Sequence, residues 1–127
     1  MEHAHPCVEG HAQRIVQLLR QCRFDLSTEK HLQEGMQRAF EQAGLPFVRE
    51  AVLAAGDIPD FLLYDCIVVE CKIRGKSRKI DVYRQLERYA KHERVQCLVL
   101  AANFTMGLPP SLQGKPLYFA SLSQAWL

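Results

Sequence analysis

Two apolar runs separated only by Asp65 and Cys66 carry charges where a chain can least afford them. Pro59-Asp60 leads into Phe61-Leu62-Leu63-Tyr64, and Ile67-Val68-Val69 leads into Glu70-Cys71-Lys72. Side chains alternate across a β-strand, so Glu70 and Lys72 share one side while Val69, Cys71 and Ile73 take the other. Pro59 has no amide to donate to a ladder and belongs at a strand's beginning, which holds Asp60 there. Two carboxylates and an ammonium therefore converge in apolar surroundings. Burying them is costly unless partners satisfy them, and a divalent cation with its bound water is a common reason to keep carboxylates in such a place. A metal-ion active site is the expectation. Taken alone, Glu70 and Lys72 also describe an ion pair on a solvated sheet face; Asp60 beside them tips the balance.

The rest of the chain supplies walls for such a site. Val8, Ile15, Leu18, Leu19 and Cys22 recur at helical spacing and predict a helix over about residues 8–24, after a polar lead-in of residues 1–7. A second helix starts at an N-cap, Ser27 or Thr28, and stops at Gly44 and Pro46. Its apolar stripe is Leu32, Met36, Ala39, Phe40 and Ala43. Glu29 falls on that stripe's face and Glu34 opposite it, so Glu29 is the acid expected to look toward the sheet; its other role is to favour the helix dipole. Strands are expected at residues 47–53, 60–64 and 67–73, the last two apolar enough to be covered on both faces. Arg49 and Glu50 read as a local pair, with Glu50 a minor candidate for supporting the site. A third helix over about residues 80–92 turns Val82, Leu86, Tyr89 and Ala90 inward and makes Gln85 and Tyr89 neighbours. Residues 95–101 form a further buried strand, parallel to the one at 67–73, and residues 115–120 one more. Trp126 closes the tail.

Length and charge narrow the classes. A chain of 127 residues, 48% apolar, fits one domain with a real core. Sixteen basic against 14 acidic residues announce no polyanionic partner by themselves. Their distribution says more, because Lys72 to Arg94 carries nine Lys or Arg against three acids. Arg74-Gly75-Lys76-Ser77-Arg78-Lys79 lacks the upstream glycine of a phosphate-binding Walker loop. Five cysteines, an odd number lying partly in apolar runs, suggest a reduced interior and a cytoplasmic protein. No apolar stretch is long enough for a membrane span, and no signal-peptide core is evident. His3, His5, Cys7, His11 and Cys22 can be assembled on paper into a zinc-supported interaction site, but their spacing follows no standard pattern.

Taken together, Pro59-Asp60, Glu70-Cys71-Lys72 and Gln85-Leu86-Glu87-Arg88-Tyr89 resemble the motifs of the PD-(D/E)XK nuclease superfamily, in its branch with a QxxxY element. Glu29 stands where an upstream helix acid is usual. The resemblance covers about residues 28–102. It implies an α/β, restriction-endonuclease-like fold: a mixed central sheet flanked by helices with an αβββαβ core, here with an additional N-terminal helix. The whole of 1–127 then reads as a single nuclease-like domain, with tail and extra helix in 1–26, the core in 28–102, and a C-terminal strand and tail in 103–127.

The same resemblance implies a Mg²⁺-dependent nuclease acting on DNA phosphodiester bonds, with Mn²⁺ able to substitute and no small-molecule cofactor. Asp60, Glu70, the Cys71 backbone carbonyl and Glu29 would hold the metal, and Lys72 would act on the attacking water and the transition-state charge. Gln85 and Tyr89 would place Lys72 and the scissile phosphate. Arg74, Lys76, Arg78, Lys79, Arg84 and Arg88 would contact backbone phosphates. So short a chain favours structure-guided or weakly sequence-specific cleavage and a phage or bacterial DNA-processing role, while the resemblance and a two-stranded substrate imply a homodimer. The alternative is a nucleic-acid-binding module of the same fold that does not cleave.

Overall fold

The computed structural model describes residues 6–124. Three helices, α1 (Pro6–Gln21), α2 (Glu29–Gln42) and α3 (Lys79–Ala90), flank an open six-stranded sheet. The strands are β1 (Arg23–Phe24), β2 (Phe47–Arg49), β3 (Phe61–Leu63), β4 (Ile67–Lys72), β5 (Cys97–Ala102), β6 (Ser111–Leu112), β7 (Lys115–Ser121) and β8 (Ser123–Gln124). The sheet runs in the order β2-β3-β4-β5-β7-β6. Its first three strands are antiparallel, β5 and β7 then follow parallel to β4, and β6 returns antiparallel at the edge. The short strands β1 and β8 form a separate parallel pair. Among the described residues no helix is long and apolar enough to cross a membrane.

Strand alternation divides the core into two layers. Ile67, Val69, Cys71 and Ile73 face the α1 and α2 side, where they join Leu19, Leu32, Met36 and Phe40. Val68, Leu98 and Leu100 face α3 and meet Val82, Leu86 and Tyr89. Glu70 and Lys72 share the register of Val68 and so belong to the α3 side. The helices begin and end for local reasons. Thr28 Oγ1 accepts the His31 amide at 3.0 Å as an N-cap for α2. Gly44 then takes the left-handed conformation that ends that helix, with φ of 70°.

Several expected boundaries shift. The first helix runs from Pro6 to Gln21 rather than over 8–24, because Arg23 and Phe24 leave it to pair with β8. Phe24 is buried and lies so close over α2 that a Cβ on Gly35 would sit 3.0 Å from its ring. The strand expected over 47–53 stops at Arg49, since Glu50 adopts φ of 54° and turns the chain away. Three two-residue strands, β1, β6 and β8, fall below the length at which alternation can be read. Trp126 lies outside the described residues.

Candidate active site

The site forms where β3 and β4 stop pairing. Their ladder ends with Phe61 opposite Val69. One residue beyond, each strand is held by a carboxylate of the other. The Asp60 amide donates to Glu70 Oε1 at 3.0 Å, and the Cys71 amide donates to Asp60 Oδ2 at 2.8 Å. Two side-chain bonds replace the rungs a ladder would have made, so no backbone donor is orphaned as the strands part. In a strand a residue's amide and carbonyl leave on the same edge, so the Cys71 carbonyl also faces this gap. The Cys71 thiol lies 3.2 Å from the same Asp60 oxygen.

Helix α2 completes the grip on Asp60 through a residue that sequence reasoning missed. Gln33 Nε2 donates to Asp60 Oδ1 at 2.9 Å, and Gln33 Oε1 accepts from Arg49 Nη2 at 3.1 Å. Arg49 Nη1 also donates to Gln37 Oε1 at 3.0 Å. The polarity of this relay is fixed at its far end. A guanidinium has donors only, so the Gln33 carbonyl must face Arg49 and its NH₂ must face Asp60. Arg49 is therefore not the local partner of Glu50. The strand ends at Arg49, and the chain turns left-handed at Glu50, which is exposed. Gln33 lies one turn after Glu29 on the same face, which was the available signal.

Glu70 is the buried charged residue of the described chain, with 2% of its surface exposed. Lys72 Nζ stands 3.4 Å from Glu70 Oε2 and is itself largely buried. Burial, reinforced by the Asp60 carboxylate, pushes Glu70 up to about 8, against the pull of Lys72. Burial also raises Asp60, although the Cys71 amide and thiol favour its ionised form. Both carboxylates act on Tyr89, whose hydroxyl is raised chiefly by burial and has Gln85 beside it. Gln85 and Lys72 share the wall of a cavity of about 270 Å³. Asp60, Glu70, Lys72, Gln85 and Tyr89 are thus brought together. Glu29 stays on the site side of α2, close enough for its charge to act on the Cys71 thiol.

The basic residues sort into two groups. Arg78 is bound to Asp81 at 2.8 Å and Arg88 to Asp57 at 3.1 Å, where His92 also engages Asp57. Among the described residues, Arg74, Lys76, Lys79 and Arg84 have no carboxylate at ion-pair distance. The paper zinc set does not assemble there either. His11 stacks on Tyr64 with ring centroids 3.6 Å apart, and Cys22 packs against the core. His3, His5 and the Cys7 side chain lie outside the described residues. Among those described, no three or more His, Cys, Asp or Glu side chains form a ready-made metal cage.

Two carboxylates and a strand carbonyl nevertheless suit one kind of ion. Oxygen donors select hard cations, and Mg²⁺ keeps several waters and needs only one or two carboxylates besides a substrate phosphate. Asp60 and Glu70 meet that requirement. No family model matches the chain, and neither does a curated protein or a solved structure.

Proposed function

We propose that the chain is a Mg²⁺-dependent nuclease that hydrolyses DNA phosphodiester bonds with little sequence specificity. One observation carries the reading: a buried carboxylate, Glu70, and a half-buried one, Asp60, brace the parted ends of β3 and β4 with Lys72 3.4 Å from Glu70 and a cavity opening at Lys72. The element order α2-β2-β3-β4-α3-β5, antiparallel up to β4 and parallel at β5, is the αβββαβ order of the restriction-endonuclease-like fold and supports assignment to it. In that reading Asp60, Glu70, the Cys71 carbonyl and Glu29 would hold Mg²⁺, or Mn²⁺ in its place.

When bound, the ion would polarise a phosphoryl oxygen and make its bound water more acidic. The residues of the chain do the rest. Lys72 places a positive charge where negative charge accumulates on the attacked phosphate, inside a site dry enough for it to count. Gln33 and the Cys71 amide fix the orientation of Asp60, and Tyr89 closes the α3 side against water. Arg74, Lys76, Lys79 and Arg84, without an ion-pair partner among the described residues, would meet phosphates. Arg78 and Arg88 serve first in their own ion pairs. A cytoplasmic homodimer presenting two such sites belongs to the same proposal and is tested by sedimentation.

The deciding experiment incubates plasmid, single-stranded and branched DNA with the protein in Mg²⁺ or Mn²⁺, beside Asp60→Ala and Lys72→Ala. Metal-dependent cleavage lost in both variants is expected. Cleavage surviving both substitutions, or none under any condition, would sink the assignment, and metal-independent binding without cleavage would leave a binding module in its place.

A further inference from the structure

We infer that the surface leading away from Lys72 is a track for an unpaired polynucleotide strand, so that the substrate is DNA bearing a single-stranded tail, flap or branch. This rests on the nuclease reading only for what happens at Lys72; strand binding stands on separate observations.

Three cavities lie in succession, each sharing a wall residue with the next. The first, about 270 Å³, opens at Lys72 and is bordered by Ser77. Ser77 also borders the second, about 190 Å³, whose walls include Arg74, Lys79 and Thr105. Thr105 in turn borders the third, about 340 Å³, walled by Met106, Leu108, Leu117 and Phe119. The third exists because β6 pairs only with Lys115 and Pro116 of β7, leaving the rest of that strand's edge to the loop at 105–110. The Asn103 side chain accepts the Arg74 amide at 2.7 Å and ties the loops of the second cavity together.

Chemistry changes along this path in one direction. Near Lys72 it is cationic on balance: Arg74 and Lys79 are unpaired among the described residues, and Asp81, the carboxylate on the first cavity's wall, is held by Arg78. At the far end it is apolar and aromatic. A duplex offers phosphates and groove edges but keeps its base faces stacked inside. An unpaired strand offers phosphates and base faces together, and aromatic surfaces beside a cationic groove are how proteins hold it. Charge complementarity therefore fixes a polyanion, and the apolar end fixes an unpaired one.

Fluorescence anisotropy in EDTA, where no cleavage intrudes, tests this with one labelled duplex, blunt or extended by a DNA or an RNA tail. Wild type is expected to bind the tailed duplex about tenfold more tightly. Phe119→Leu should remove most of that preference without changing the salt dependence. Arg74→Ala with Lys79→Ala should lower the slope of log affinity against log salt by about 1.4, the release from two single-strand phosphates. Met106→Glu, on a loop where it endangers folding least, puts a carboxylate in the far groove and should abolish the tail preference alone. Equal binding of blunt and tailed duplex, or variants that weaken both alike, overturns the track. Preference for RNA tails equal to that for DNA assigns the track to single strands of either sugar. Cleavage of the same substrates in Mg²⁺ separates the two proposals. Tail preference without cleavage keeps the track and removes the nuclease, whereas cleavage with no tail preference does the reverse.

Discussion

Glu70→Gln should make the metal-free protein more stable at alkaline pH while destroying the activity proposed for it. The carboxyl is pushed from 4.5 up to about 8 by burial and by Asp60. That interval corresponds to roughly 5 kcal/mol against the ionised form. A raised acid binds more protons folded than unfolded between these two values. Below about pH 4 both states are protonated and Glu70 is neutral in its effect. As pH climbs, the unfolded chain releases its proton first, so stability falls by up to ~1.4 kcal/mol per pH unit until Glu70 itself ionises near 8. Above that the deficit is constant. Glutamine has no such slope and keeps an oxygen for the Asp60 amide, although Lys72 loses its partner. Urea melts of both proteins in EDTA, from about pH 5 to about pH 9, should therefore diverge by roughly 2–5 kcal/mol in favour of the variant. Millimolar Mg²⁺ should then raise the wild-type melting temperature at about pH 8 and leave the variant's unmoved, because only the wild type gains a ligand in its folded state. Parallel pH curves for the two proteins would refute the reasoning.

Three further outcomes follow from other contacts. Gln33→Leu strands Asp60 Oδ1 and the Arg49 Nη2 donor, which should cost about 1–3 kcal/mol in denaturant melts and raise the Mg²⁺ requirement about 10–100-fold; an unchanged metal titration would remove Gln33 from the site. Phe40→Ala opens the ring cluster in which Phe40 sits 5.1 Å from Phe61 and 5.9 Å from Phe47. Urea melts should show a loss of about 3–5 kcal/mol. Gly44→Ala forces a Cβ into φ of 70° and should cost about 1 kcal/mol, whereas Gly10→Ala, with open space around it in α1, should stabilise by about 0.5–1 kcal/mol; thermal melts read the opposite signs.

What was legible in the sequence was whatever periodicity and motif order control. The inward residues of α2 and α3, the alternation of β4, and the parallel pairing of β4 with β5 all follow from apolar spacing, and the meeting of Asp60, Glu70 and Lys72 follows from two strand-like runs joined by a short turn. Interactions between distant residues were not legible. Gln33 reads as a polar helix position because its partner lies 27 residues away. Arg49 was assigned to its neighbour Glu50 because nothing in a linear pattern shows that the backbone turns left-handed there without a glycine. The connection between β3 and β4 makes the same point: Tyr64 and Asp65 both take positive φ where Asn-Gly would have announced the turn.

The relay through Gln33 also decides which substitutions can separate chemistry from folding. Asp60→Ala leaves the Cys71 amide and the Gln33 NH₂ facing a void in a partly buried site, so a dead variant mixes lost metal binding with lost structure. Asp60→Asn is isosteric but offers one acceptor where the network needs two. If its oxygen serves Cys71, its NH₂ meets the NH₂ of Gln33. Gln33 can flip to relieve that contact only by presenting its NH₂ to the donors of Arg49, which has nothing to accept with. The misfit is thus passed on to Arg49. Asp60→Asn combined with Gln33→Glu restores the pattern, since a carboxylate at position 33 accepts both from the new carboxamide at position 60 and from Arg49. Recovered stability without recovered cleavage in that pair would mark Asp60 as needed for its charge, and recovery of both would mark it as a brace.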